Sequence, residues 1–163
     1  MNLINLFELQ ENLDEVIRKE HGLEGESLLS QKTLALQVEI GELANATRCF
    51  KFWSNNKILN DKIILEQLAN SLYFMLSLGL EKKFNDIVDI KLKESRCNIT
   101  SQFLNLYVDI NDFLVCSSKD HYITLFEDFL SLGSSLGFTP NEIKKCYNKI
   151  YMNTHYISEK QYS

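Results

Sequence analysis

Residues 34–54 of this chain read LALQVEIGELANATRCFKFWS, an apolar-rich stretch that runs into an aromatic and basic turn. Apolar side chains recur here at roughly helical spacing, which predicts one amphipathic helix: Leu34, Val38, Ala44 and Phe50. Glu39 and Glu42 are three residues apart, so their carboxylates lie on one face of that helix. The pair is either two surface glutamates or half of a magnesium site. The second alternative arises because a carboxylate among apolar neighbours is costly to bury unless a cation pairs with it.

The composition favours one helical domain that spans residues 1–163. A chain of 163 residues is long enough to bury a proper core, and 45% of its residues are hydrophobic. It contains one proline and six glycines, so long apolar-periodic segments run with few breakers. We therefore expect an all-α bundle of about six helices.

Charge and cysteine usage exclude several classes of function. The net charge of −5 argues against a nucleic-acid binder, which needs a basic surface. Four scattered cysteines without a CxxC pair predict neither zinc nor disulfides: Cys49, Cys97, Cys116 and Cys146. No signal peptide is evident, and the longest apolar run, residues 72–80, is about half a membrane span. We expect a cytoplasmic protein that binds neither nucleic acid nor membrane.

Periodicity and breakers predict where the six helices lie: residues 3–20, 30–53, 60–83, 99–116, 119–136 and 139–155. Gly22 is the expected stop of the first helix, and Ser30 the expected cap of the second. Thr139, Pro140 and Glu142 supply a capping box with proline at the first helical position. The third helix is apolar over much of its circumference, which places it at the centre of the bundle or at a dimer interface.

A metal site at Glu39 and Glu42 needs matching ligands from a second helix. The third helix is the candidate, and its pair one turn apart is Gln67 and Asn70, which are amides. Glu66 is the residue immediately before Gln67, so on a helix its side chain points about 100° away from that of Gln67. Glu66 and Asn70 are four apart, so they could also share a face.

The chain resembles the all-α, dimeric dUTPases of bacteria and phages, within the group that includes MazG-like pyrophosphatases. The resemblance is carried first by Glu39-Ile40-Gly41-Glu42-Leu43, an ExxE helix, and then by residues 48–54, RCFKFWS. Residues 65–80 look like the second metal helix of that family, and Leu9-Gln10 with Leu13-Asp14 is similar to its LQxxLD pattern. ExxE alone is weak evidence, but joined to FKFWS in this order it is specific.

The resemblance implies a four-carboxylate site, ExxE plus ExxD, that holds Mg²⁺ (Mn²⁺ as a substitute) on the phosphates of dUTP. Water would attack the α-phosphate and give dUMP and pyrophosphate, with metal neutralising the developing charge. The catalytic and metal-binding candidates are Glu39 and Glu42, with Gln67 and Asn70 completing the metal set. The resemblance also implies a homodimer, an aromatic-lined uracil pocket near the N-terminal helix and basic residues from the C-terminal helix near the phosphates.

The substrate-binding candidates are Gln10, Lys51, Trp53, Tyr73 and His155. Each has a plainer alternative. Gln10 could be a surface residue of the first helix, and Lys51 and Trp53 could anchor a helix end. Tyr73 takes the position of a family histidine. In the C-terminal signature of the family only His155 is kept, while residues 150, 151, 154 and 157 differ.

This chain differs from the family in the second metal motif. The two acids of ExxD align with Gln67 and Asn70, which are neutral, and this weakens the motif. Magnesium often uses one or two protein carboxylates, so one ion on Glu39 and Glu42 remains compatible with the sequence. We expect dUTP hydrolysis with impaired activity. The sequence also leaves open a non-catalytic module that binds a nucleotide or a protein partner, hydrolysis of another nucleotide, and a hydrogen-bonded polar layer without metal.

Overall fold

The computed structural model describes residues 1–55 and 59–161, with side chains described as far as Met152. Its helices are α1 (Ile4–His21), α2 (Leu29–Thr47), α3 (Asp61–Glu81), α4 (Ile99–Val115), α5 (Lys119–Ser135) and α6 (Pro140–Gln161). In the described part of the chain no strand forms, and Asn2 and Asp89 make only an isolated antiparallel bridge. The predicted all-α fold with six helices is confirmed.

Helix α3 is the central element of the bundle. It contacts α1, α2, α5 and α6, and ten of its residues are buried. Among the described residues it alone has the length and hydropathy of a membrane span, a property that core helices share, and more than half of that apolar window is buried inside the protein. Of the two roles predicted for this helix, the structure assigns it the central one.

The absence of a side chain at Gly79 lets α3 approach α5 and α1 closely. A Cβ atom at this position would lie 2.5 Å from the hydroxyl oxygen of Tyr122 and 3.0 Å from the ring of Phe7. The Tyr122 hydroxyl instead donates a 2.9 Å hydrogen bond to the carbonyl of Met75. A buried phenol therefore keeps its hydrogen bond while its ring packs directly on the α3 backbone.

Several predicted helix ends are found as expected. Gly22 ends α1 in the left-handed region with φ of 65°. The Asn60 side chain caps α3 by accepting from the backbone N–H groups of Lys62 and Ile63. At α6 the Glu142 carboxylate accepts from the Thr139 N–H at 2.8 Å, and the Thr139 hydroxyl accepts from the Glu142 N–H at 3.2 Å. This is the predicted capping box.

The predicted bounds of the second and sixth helices are wrong. Helix α2 begins at Leu29 without a side-chain cap, so Ser30 does not cap it, and it ends at Thr47 rather than near Trp53. It ends there because Arg48 adopts a left-handed conformation with φ of 55°, in which its N–H bonds the carbonyls of Ala44 and Asn45. Helix α6 continues to Gln161, six residues beyond its expected end.

The predicted apolar face of α2 is also wrong. Leu34 and Val38 are more than half exposed. The buried face consists of Thr33, Leu36, Ile40, Leu43 and Thr47. These buried positions follow the 3.6-residue helical period more closely than the set headed by Leu34.

An ion-pair network at the end of the bundle joins α1, α2 and α3. The Lys32 ammonium group donates to the Asp14 carboxylate at 2.9 Å and to the Glu81 carboxylate at 2.8 Å. Arg18 pairs with the same Glu81 oxygen, and Ser77 donates to Asp14. The Lys32, Asp14 and Glu81 side chains are each about nine-tenths buried, so each charge depends on its partners.

The pKa of Glu81 reports this pairing. Burial alone would raise it, but the hydrogen bond and charge of Lys32, followed by the charge of Arg18, hold the pKa below its ordinary value. A carboxylate with a lowered pKa stabilises the fold at neutral pH. That contribution is lost as the pH falls through the folded-state pKa.

We predict that Lys32→Met lowers the free energy of unfolding at pH 7 by about 3 kcal/mol, because it leaves the buried Asp14 carboxylate without its cation and Glu81 with Arg18 alone. The loss should be smaller near pH 4, because protonation of Glu81 removes the negative charge that Lys32 stabilises. Urea denaturation followed by circular dichroism at both pH values measures it. Lys62→Met is the control, since Lys62 is exposed and pairs with Glu66 only at 3.9 Å. An equal effect of the two changes would contradict the prediction.

Candidate functional site

The two glutamates of α2 occupy different environments. Glu39 is partly buried, and Glu42 is exposed. Burial first, and then the charge of Glu42, raise the pKa of Glu39, while a hydrogen bond from the Asn70 side chain lowers it. The interpretation of the pair as two ordinary surface glutamates therefore does not hold for Glu39.

The two amides of α3 lie on the helix that packs against α2, but they have different partners. Asn70 is in contact with Glu39, and its Oδ1 atom accepts a 2.9 Å hydrogen bond from the Tyr151 hydroxyl of α6. Gln67 Oε1 is buried and receives no hydrogen bond from the described residues. The amide pair is thus only partly satisfied within the protein.

Glu66 lies one turn before Asn70 on α3. Its carboxylate lies 3.9 Å from the Lys62 ammonium group one turn earlier. It also lines a groove between α3 and α6 together with Cys146. Glu66 and Asn70 therefore both lie toward α6, where Asn70 bonds Tyr151.

The oxygen atoms at the α2–α3 interface fit one magnesium ion. Glu39 Oε2 is buried and, like Gln67 Oε1, has no donor among the described residues. A buried acceptor without a donor is costly, and carboxylate and amide oxygens are ligands that Mg²⁺ accepts. In the described part of the chain, however, no three acidic, histidine or cysteine side chains form a group that could hold a metal. The residues therefore fit a single ion on Glu39 and Glu42, with Gln67 on the facing helix as a candidate neutral oxygen.

Gln10 and Tyr73 belong to a buried polar cluster between α1, α3 and α6. Gln10 is fully buried, so the alternative that it is a surface residue is wrong. Its amide donates to Asp14 at 2.8 Å and accepts from the Tyr147 hydroxyl at 2.8 Å. Burial first, and then the charge of Asp14, raise the pKa of Tyr73 to about 12, although a hydrogen bond from Gln10 lowers it. The ring of Tyr73 packs on that of Tyr151, with centroids 4.8 Å apart.

A cavity of about 300 Å³ lies between α1, α2 and α3 beside this cluster. Tyr73 and Phe74 provide aromatic walls, and Asp14 and Lys32 line it as well. Ala35 is the α2 residue between Lys32 and Glu39 along this face, and its small side chain leaves space there. An aromatic cavity next to the first helix is the feature that the resemblance implied for a uracil pocket.

Lys51 and Trp53 lie in the turn that follows α2. Lys51 lies over the Phe50 ring at 5.8 Å and lines a cavity of about 410 Å³. Trp53 is 65% exposed and packs edge-to-face against Phe52, with centroids 5.0 Å apart. Because α2 ends at Thr47, both residues lie beyond its last turn.

Three residues near the candidate site were not predicted as members of it. Arg48 lines the same cavity as Lys51, donates to Ser54 at 2.9 Å, and has a buried Nε atom without a partner among the described residues. Tyr147 and Tyr151 reach Gln10 and Asn70 from α6. Tyr147 and Tyr151 are four residues apart, and this spacing indicates from the sequence alone that they share one face of α6. His155 lies outside the residues whose side chains are described.

Comparison with known proteins agrees with the motifs. A family model described as dUTPase matches residues 2–162, nearly the whole chain. No curated protein matches at a significant level. The six-helix fold and the ExxE motif on α2 are consistent with that match. The chain therefore belongs to the all-α dimeric dUTPase family.

Proposed function

We propose that this protein is a dUTP diphosphatase of reduced activity, which hydrolyses dUTP to dUMP and pyrophosphate with one Mg²⁺ on Glu39 and Glu42. The observation that carries the proposal is a pair of buried oxygens, Glu39 Oε2 and Gln67 Oε1, which have no donor among the described residues and lie on two helices that pack together. A bound cation would supply a partner for these acceptors. Magnesium, when bound, would neutralise phosphate charge.

The surrounding residues support binding of a nucleoside triphosphate. The aromatic cavity at Tyr73 and Phe74 is large enough for a nucleobase and lies one turn from the amide Asn70. Arg48 and Lys51 place two cations around the second cavity, which follows the C-terminal end of α2. Cations offset the charge of phosphates, and a basic lining compensates for a net charge of −5.

The reduced rate follows from the chemistry of the amides. Gln67 and Asn70 offer oxygen ligands without negative charge, so they stabilise a divalent ion less than the family's carboxylates would. Asn70 also has its oxygen bonded to Tyr151. This second feature favours the alternative function, a non-catalytic module that binds a nucleotide or a protein partner through the same fold.

The first test is pyrophosphate release from dUTP with Mg²⁺ and then with Mn²⁺. We expect slow turnover that Glu39→Gln abolishes, because that change removes the charge of the more buried metal ligand. Glu66→Gln is the matched control, since it neutralises an α3 carboxylate that pairs with Lys62, and it should leave the rate unchanged. Turnover that survives Glu39→Gln would contradict the proposed site.

Restoring both acids should raise the rate. Gln67→Glu together with Asn70→Asp rebuilds the ExxD motif, and we expect at least a tenfold increase, equivalent to about 1.4 kcal/mol of the barrier. The same steady-state assay with dUTP, and with dCTP and dTTP for specificity, measures it. If the unaltered protein and the double variant are both inactive, the non-catalytic module is the better description.

We further propose that the protein forms a homodimer through α2 and α4. These neighbouring helices each carry two apolar side chains four residues apart that are more than half exposed: Leu34, Val38, Leu104 and Val108. Apolar side chains arranged in stripes on adjacent helices are typical of an interaction surface rather than of scattered exposure. This surface also accounts for the helical spacing of Leu34 and Val38 in the sequence.

We expect Leu104→Glu to convert the dimer into a folded monomer, because a buried unpaired carboxylate opposes association. Light scattering coupled to size-exclusion chromatography measures the mass. Val88→Glu is the control, since Val88 is about half exposed and lies in the segment between α3 and α4, on neither of the two striped helices. A monomeric unaltered protein would contradict the dimer and leave the surface for a different protein partner.

A further inference from the structure

Tyr151 on α6 connects the C-terminal helix with the candidate metal site. Its hydroxyl donates to Asn70 Oδ1 at 2.9 Å. Its ring packs between two other tyrosines, with centroid distances of 4.8 Å to Tyr73 and 5.1 Å to Tyr147. The stack fixes the ring, so the hydroxyl is held at the Asn70 side chain rather than free to turn away.

The hydrogen bond from Tyr151 determines which end of the Asn70 amide meets Glu39. An asparagine side chain has one carbonyl oxygen and one NH₂ group, and only the oxygen can bind Mg²⁺. With the oxygen accepting from Tyr151, the NH₂ group is the end that bonds the Glu39 carboxylate. Burial raises the pKa of Tyr151, so its hydroxyl keeps its proton at neutral pH and stays a donor.

We propose that Tyr151 is a positioning residue that holds Asn70 with its NH₂ group toward Glu39 and so weakens Mg²⁺ binding at this site. Coordination of the ion by the Asn70 oxygen then requires the Tyr151–Asn70 hydrogen bond to break and the amide to rotate. The C-terminal helix thereby restrains the metal site through one side chain. The inference rests on the proposed function only in assuming that Mg²⁺ binds at Glu39 and Glu42.

Metal affinity in the absence of nucleotide tests this role. The apparent dissociation constant for Mn²⁺, measured by electron paramagnetic resonance, should fall about fivefold in Tyr151→Phe, the effect of removing one neutral hydrogen bond from the metal-free state. The phenylalanine ring keeps the aromatic stack, and thermal unfolding of each variant checks that the fold is intact. A gain of affinity is a result that simple structural damage would not produce.

Tyr147→Phe is the matched control. It removes a hydroxyl from the same stack, but that hydroxyl bonds Gln10 at 2.8 Å and not Asn70. We expect its Mn²⁺ affinity to equal that of the unaltered protein. Equal or weaker binding by Tyr151→Phe, or the same gain in Tyr147→Phe, would overturn the inference.

The outcome separates this inference from the proposed activity. Tighter Mn²⁺ binding by Tyr151→Phe without any dUTP turnover supports the positioning role and contradicts the diphosphatase. Turnover that depends on Glu39, with affinity unchanged in Tyr151→Phe, supports the diphosphatase and rejects the positioning role. Failure of Tyr151→Phe to bind Mn²⁺ at millimolar concentration also rejects it.

Discussion

The ammonium group of Lys32 orients the first three helices, because it lies between the carboxylates of Asp14 on α1 and Glu81 on α3. Glu39 follows Lys32 by seven residues, about two helical turns, so both side chains point from one face of α2 toward α3. An ion pair that is nearly nine-tenths buried tolerates little change of geometry. The orientation of α2 about its own axis that places Lys32 between these carboxylates therefore also directs Glu39 toward α3. The aromatic cavity occupies the turn between these two polar layers, where Ala35 is too small to fill it.

The sequence predicted the features that depend on local chemistry. Six helices, the Gly22 stop, the start of the third helix near Asn60 and the Thr139–Glu142 capping box were predicted from residue types and spacing alone. The early end of α2 could not be predicted from the sequence. It depends on the left-handed conformation of Arg48, and an arginine gives no signal for that conformation as a glycine would. The burial of Gln10 and the Tyr151–Asn70 contact also escaped prediction. Both depend on where α6 packs, which is a tertiary property.

The amides at Gln67 and Asn70 change the balance between stability and metal binding. Four carboxylates brought together without metal repel one another, and protonation or a cation is needed to relieve them. Here only Glu39 is partly buried, and Asn70 connects it by hydrogen bonds to Tyr151. The Asn70 and Tyr151 contacts thus satisfy part of this interface, while Glu39 Oε2 and Gln67 Oε1 still have no donor among the described residues. A metal site whose metal-free form is partly satisfied gains less from its ion, which is the usual exchange between a stable fold and a reactive site.

The exposure of Trp53 has a spectroscopic consequence. It is the only tryptophan of the chain, and it lies in the turn after α2 against Phe50 and Phe52 rather than in the core. Its indole is 65% exposed in the folded protein, so its emission should already resemble that of a tryptophan in water. Intrinsic fluorescence will therefore report on the environment of this aromatic turn while remaining nearly silent during loss of the helical core. Circular dichroism, which follows helix content, is therefore the probe that reports unfolding of the bundle, and fluorescence is the probe for this turn.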